Sequence, residues 1–319
     1  MIRSLLALIL LSAAAAPLAL GDNFDLIAAP SNAVLQQCKA DGAFSYALRM
    51  KDNRQTIPTN AGGKEIHLLV DSGASRTLVE AGRIRALGVS PKSSDRVHGI
   101  FRLDPRGYST AVLPEWNIGQ LRIASAPVLV APRYHGSVNG LLGTDYLSLL
   151  GALHDVRAAV IHLWKPRERK VPVSRVLNKL GFVAVPYVAG GSRGPIVPVT
   201  IAGVKTHAFV DTGAPHISIH SALVQRLKIR GVEMGAGRRL FMRDVTGAQR
   251  GAGITDRISL EIGNYKTPPI ESVSVRLDEL FTATKGTSDS GVEIILGVDV
   301  LSLNNAIIDY AGHTVYFHR

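Results

Sequence analysis

The chain has 319 residues, 46% hydrophobic and 19% charged, enough apolar material for one large core or two ordinary ones, which excludes a chain that is disordered by composition. Its 36 Lys and Arg against 25 Asp and Glu give a net charge of +11, but the cations are scattered and aromatic residues are only 6%, so no dedicated nucleic-acid surface is expected. The single cysteine, Cys38, excludes an intramolecular disulfide and, lacking His and Asn partners, reads as a small buried residue.

Residues 1–21, MIRSLLALILLSAAAAPLALG, join one Arg to an apolar run broken by Pro17 and to small residues at Ala19 and Gly21. This is the pattern of a cleaved signal peptide, and the run falls short of the roughly 20 apolar residues that a spanning helix needs. The mature chain is therefore expected to begin near Asp22, without a membrane span, in the periplasm or outside the cell. For residues 22–42 a short helix, an edge strand and a small propeptide all remain open.

From there the chain is written twice. Residues 57–71, IPTNAGGKEIHLLVD, align without a gap on 197–211, VPVTIAGVKTHAFVD, at an offset of 140. Residues 141–155, LLGTDYLSLLGALHD, align on 295–309, ILGVDVLSLNNAIID, at an offset of 154. Two related lobes follow, 43–164 and 175–319, joined by a linker at 165–174 whose run KPRERK reads as solvated. Within each lobe, short Val-, Ile- and Leu-rich runs between Gly, Pro, Asn and Asp turns predict β-strands. Helical periodicity is clearest at Glu80–Leu87 and Ser221–Leu227.

Each first block drives an apolar strand into an acidic turn, Asp71-Ser72-Gly73-Ala74 and Asp211-Thr212-Gly213-Ala214. A carboxylate at the end of a buried strand must be hydrogen-bonded, paired or protonated. The glycine lets the backbone turn tightly, and Ser or Thr adds a hydroxyl. Occurring once, such a triplet is a turn signal. Occurring at the same point of two repeats, it predicts two carboxyl groups meeting near a pseudo-two-fold axis.

These residues resemble the pepsin-like and retropepsin-like aspartic proteases, whose signature is an apolar-apolar-Asp-Thr/Ser-Gly turn followed later by apolar-apolar-Gly. VDSGAS with LLG at 141–143, and VDTGAP with ILG at 295–297, carry both signatures in both halves, and the short lobes look closest to a retropepsin-like subunit fused to itself. The resemblance implies an all-β, bilobal fold of two pseudo-two-fold related barrel lobes with short helices. It implies an aspartic endopeptidase with Asp71 and Asp211 catalytic, Ser72, Gly73, Thr212 and Gly213 supporting the turns, and Gly143 and Gly297 backing them. It implies no metal and no cofactor, an extended peptide or protein as partner, and a monomer. It also places cleft-covering flaps at Val97–Ala111 and Leu240–Ile254, with Tyr108 more simply read as a strand residue. Pro215 removes an amide donor just past the second turn, and Ser72 lacks the methyl of Thr212, which predicts looser lobe pairing.

His67 and His207 repeat four residues before each Asp, but no further ligand spacing accompanies them, so a metal site is not expected. The repeated Asp145, Asp299, Asp155 and Asp309 read as turn or strand-end acceptors. A processing protease restricted to one envelope protein, a catalytically silent peptide-binding scaffold and a basic envelope-adhesion protein are the competing functions. The last predicts salt-sensitive binding that is indifferent to Asp71 and Asp211.

Overall fold

Turn chemistry builds the first piece of each half. Gly62 and Gly63 have φ of 54° and 78°, and Ala202 and Gly203 have 47° and 79°, the two-residue turn whose twist suits a hairpin. It joins Arg54–Ala61 to Lys64–Val70 and Pro195–Ile201 to Val204–Val210. The register is the same in both, with Pro58 opposite His67 and Pro198 opposite His207. The computed structural model describes residues 24–318 apart from 93, 99–102, 133–137, 167, 170–172, 190–193, 233–239, 245–246 and 279–290.

The architecture is mostly β and two-lobed. One eight-stranded sheet belongs to the first half and one eleven-stranded sheet to the second. A third, six-stranded sheet takes Phe44–Ala47, Val160–Leu163 and Leu153–Asp155 from the first half, then Ile307–Asp309, Thr314–His318 and Phe182–Pro186 from the second. At its centre His154 lies directly opposite Ile308, its own equivalent at the 154-residue offset. Flanking bonds are reciprocal: Val156 N–H to the Ala306 carbonyl and Tyr310 N–H to the Ala152 carbonyl, both 3.0 Å. The two-fold axis relating the halves therefore passes through this strand pair.

The segment before the first repeat is a helix, Phe24–Ala40. Val34 and Cys38, one turn apart, are buried beneath the shared sheet with Leu153, Trp164, Leu177, Phe182, Ile307 and Tyr316, and burial pushes the Cys38 thiol up to about 12. Ser31 donates to Asp155 at 2.7 Å. The predicted helices appear as Ala81–Ala86 and Ser221–Arg226, and short helices also occupy Thr144–Leu149, Ser174–Lys179 and Val298–Leu303. Among the described residues no helix is long and apolar enough to cross a membrane.

One residue of the charged run departs from the expected solvated character, while Lys165 and Glu168 stay exposed. Arg169 folds back onto the shared sheet, forks onto Asp309 at 2.5 and 2.7 Å, and donates to the Gly151 carbonyl at 3.1 Å. Its guanidinium lies 4.9 Å from the Trp164 ring centroid. The sequence neighbours of Arg169 are charged, but its spatial partner is a buried carboxylate in the other half.

The axis also carries an asymmetry. His154 is fully buried, with Nε2 bonded to Gln55 Oε1 and Nδ1 unpartnered among the described residues. Burial, aided by the neighbouring His162, pulls it down to about 3, and burial, aided by Lys39, pulls His162 to about 4. Both values lie below the ordinary 6.5, so the unfolded chain takes these protons first. Their contribution to stability is present above pH 6.5 and is lost as pH falls through the folded values. The buried carboxyls of Asp145 and Asp155, raised mainly by burial, act in the opposite direction. His154→Ile, copying Ile308, cancels the His154 share alone. Between pH 7 and pH 4 it is expected to lose less unfolding free energy than the parent, by on the order of 2–3 kcal/mol. Equal losses in denaturant titrations at the two pH values would refute this.

Candidate active site

Both acidic turns leave strands held by a parallel neighbour. Val70 pairs with Leu142 and Val210 with Leu296, and the Asp71 and Asp211 amides donate to the carbonyls of Leu142 and Leu296, each at 3.0 Å. The LLG and ILG segments thus place the start of each turn. Their glycines carry the rest of the turn against them. A Cβ on Gly143 would stand 2.6 Å from the Arg76 carbonyl carbon and 2.8 Å from the Ala74 oxygen, and one on Gly297 would stand 2.5 Å from the His216 carbonyl carbon. The residue after each glycine clamps the turn: Thr144 N–H to Ala74 O at 2.8 Å, and Val298 N–H to Ala214 O at 2.9 Å.

Asp145 and Asp299 serve as acceptors. Asp145 takes the Thr77 N–H and hydroxyl at 2.9 and 2.7 Å, and Asp299 takes the Ile217 N–H at 2.9 Å. Asp299 also pairs with His216, which raises that imidazole against the effect of burial. Asp155 likewise caps a turn through Ala158 N–H at 2.9 Å.

Between the halves, Ser72 and Thr212 exchange two bonds with each other and each makes one more to the opposite strand end, four in all. Ser72 N–H donates to Thr212 Oγ1 at 3.0 Å and Thr212 N–H to Ser72 Oγ at 2.9 Å. The Ser72 hydroxyl donates to the Val210 carbonyl at 2.7 Å, and the Thr212 hydroxyl to the Val70 carbonyl at 2.8 Å. All four are buried, each contributing about 1 kcal/mol net, and the serine side matches the threonine side in length. The looser pairing expected from Ser72 is not seen in this hydrogen bonding, because the bonds use the hydroxyl that both residues share.

The grip brings the carboxyl groups together. A Cβ on Gly73 would meet Asp211 Cγ at 2.6 Å, and one on Gly213 would meet Asp71 Oδ2 at 2.5 Å. Each glycine therefore faces the opposite carboxyl, and only hydrogen fits there. Asp71 accepts the Gly73 and Ala74 amides at 2.8 and 3.1 Å, and Asp211 accepts those of Gly213 and Ala214 at the same distances. Both cradling donors in the second half precede Pro215, whose carbonyl accepts from Asp299 N–H at 3.3 Å, so the proline costs the carboxylate cradle nothing.

Each carboxyl acts on the other, and both are buried. Burial, reinforced by the Asp211 charge, holds Asp71 well above the ordinary carboxylate range. Burial also raises Asp211, against the pull of the Gly213 amide, the Asp71 carboxyl, the Ala214 amide and the Arg54 charge. Such a pair holds one proton in common over a range of pH. It can offer a base and an acid side by side.

A hairpin in each half overlies these turns. Ser94–His98 pairs with Leu103–Ile118, and Leu240–Arg243 with Gln249–Thr255, while 99–102 and 245–246 lie outside the described residues. Tyr108 is buried with Leu69, Leu78, Leu129 and Leu141 against Ala74, and Met242, Ala248 and Ala252 pack with Ala214 and Ile295. Tyr108 is thus a packed strand residue at the base of the first hairpin. His67 bonds Glu65 at 2.6 Å, and among the described residues no group of three or more His, Cys, Asp or Glu is arranged to hold a metal. Sequence reading missed the charge of Arg54, which works against the rise at Asp211, because nothing in a lone Arg at the start of a strand signals an effect on a carboxylate far along the chain.

Comparison with known proteins returned two family models, one described as aspartyl protease over residues 57–146 and one as gag-polyprotein putative aspartyl protease over residues 197–303. Among solved structures, the aspartic proteinase from Irpex lacteus superposes with a TM-score of 0.51 at 14% identity, covering 86% of this chain and 97% of that one. This likeness concerns the fold. A search of curated proteins gave no match.

Proposed function

The chain belongs to the aspartyl proteases, and from that premise we propose that it is an endopeptidase whose Asp71 and Asp211 activate one water against a peptide carbonyl between the lobes. The ionised member takes a proton from the water as its oxygen attacks the carbonyl carbon. The protonated member donates to the carbonyl oxygen as charge builds there. The observation that carries this reading is the mutual placement of the turns, where each glycine hydrogen faces the opposite carboxyl and burial raises both acids. An extended peptide suits the site, since a hairpin packs on each turn and offers strand-like pairing to a substrate. One chain supplies both acids, so a monomer suffices. Export belongs to the same proposal: residues 1–21 lie outside the described residues, and sequencing the N-terminus of the processed protein should find it near Asp22.

Cleavage of casein between about pH 3 and pH 7 tests the reading. Activity should fall at the acid end, where both carboxyls are protonated, and at the other end, where both are ionised. No cleavage at any pH by the folded chain would favour the silent peptide-binding scaffold, and a profile with no acid limb would refute a shared proton.

A further inference from the structure

A residue of the second half seats directly on the first acidic turn. A Cβ on Gly194 would collide with the Ser72 carbonyl oxygen and stand 3.1 Å from Phe209 Cζ, so a hydrogen is all that this gap admits. Gly194 is not among the glycines of positive φ. Glycine is therefore required here for space and not for backbone freedom. Pro195 restricts it to extended backbone and opens the strand Pro195–Ile201, with Pro195 opposite Ala189 on one side and Ile196 opposite Phe209 on the other. Position 194 is thus anchored against the turn.

The Ser72 carbonyl and the Gly73 N–H are the two ends of one planar peptide unit. That N–H donates to Asp71 Oδ1 at 2.8 Å, so whatever fixes the carbonyl fixes the donor. The bonds between the lobes use the Ser72 N–H and hydroxyl, and among the described residues no hydrogen bond ends on the Ser72 carbonyl. Its restraint is the contact with Gly194. The contact serves one acid only. At the 140-residue offset the equivalent of Gly194 is Arg54, whose Cβ forbids the same approach to the Thr212 carbonyl.

We infer that Gly194 is a positioning residue for Asp71, holding the Ser72–Gly73 peptide in the orientation that aims the Gly73 amide at the carboxyl group. This deepens the proteolytic reading above and rests on it. A methyl group at 194 must displace the carbonyl and turn the peptide, taking the amide away from Asp71. An amide donor favours the charged carboxylate, so its loss makes the pair keep its protons to higher pH. The test compares the pH dependence of casein cleavage in the parent, in Gly194→Ala and in a control, Gly82→Ala, where a Cβ would meet nothing closer than 3.6 Å. In Gly194→Ala, kcat/KM should fall at least about tenfold, and one or both limbs of the profile should move up by about one pH unit. Gly82→Ala should keep the parent profile. If Gly194→Ala does not fold, the same comparison is made with Phe209→Leu added, which copies Leu69 and opens room beside the methyl group. Both limbs unmoved in a folded variant overturn the inference, because a glycine needed only for folding lowers the folded fraction and leaves the limbs in place. Casein cleavage by the parent leaves the endopeptidase reading intact in that case. Failure of the parent to cleave casein at all defeats that reading and this inference with it.

Discussion

Asp71→Asn and Asp211→Asn should each lower kcat/KM on an unstructured protein by about 10³-fold or more, the scale on which positioned acid–base groups act. In the proposed mechanism the pair holds one proton between two oxygen acids, and an amide can neither take the proton from water nor give it up to a carbonyl oxygen. Asparagine keeps the Oδ1 acceptor for the Gly73 and Ala74 amides, or for those of Gly213 and Ala214, at 2.8 and 3.1 Å, so the turn persists. Stability should move the other way. Both acids are raised by burial, so their ionisation at neutral pH works against the native state, and a neutral amide relieves that opposition. The expected result is an inactive protein with a Tm at pH 7 equal to or above that of the parent. Substantial activity in either folded variant would place the chemistry elsewhere.

Arg169→Ala should destabilise the fold by about 3–5 kcal/mol, the range for breaking a buried ion pair from one side, and lower Tm by roughly 5–8 °C. The side chains of Arg169 and Asp309 are 10% and 4% exposed. Without the guanidinium, Asp309 keeps only the Gly312 amide at 2.8 Å among its described hydrogen bonds, too little for a buried charge. The loss also removes the stacking on Trp164 and the bond to the Gly151 carbonyl, through which the end of the first half is tied to the Ile307–Asp309 strand of the second. Arg169→Met with Asp309→Asn should recover much of the stability, because no uncompensated charge is left. A loss below about 1 kcal/mol in the single variant would show that the pair behaves like a solvent-exposed one.

The architecture was legible because the chain repeats itself. Two blocks at constant offsets imply two similar lobes, and the same Asp-Ser/Thr-Gly turn in each implies that equivalent acids meet at an axis. The duplication paired Gly143 with Gly297, and the family resemblance implied their place behind the turns. The N-terminal helix was legible only as one of three options, since Val34 and Cys38 are a short apolar signal whose partners, Phe182, Ile307 and Tyr316, lie far along the chain. Arg169 read as solvated along with the rest of its run because charge along a chain says nothing of what each cation meets in space.

By itself, then, the amino-acid sequence determined the duplication, the β character, the two acidic turns and the glycines that let them close, all consequences of local geometry and of symmetry. Tertiary structure alone decided what departs from that symmetry. Arg169 meets Asp309 across 140 residues, and His154 meets Gln55 across 99. Symmetry is written twice and can be read from either copy. An asymmetric contact joins residues that occur once, and its energy exists only when the fold removes both partners from water and sets them within a few ångströms of each other.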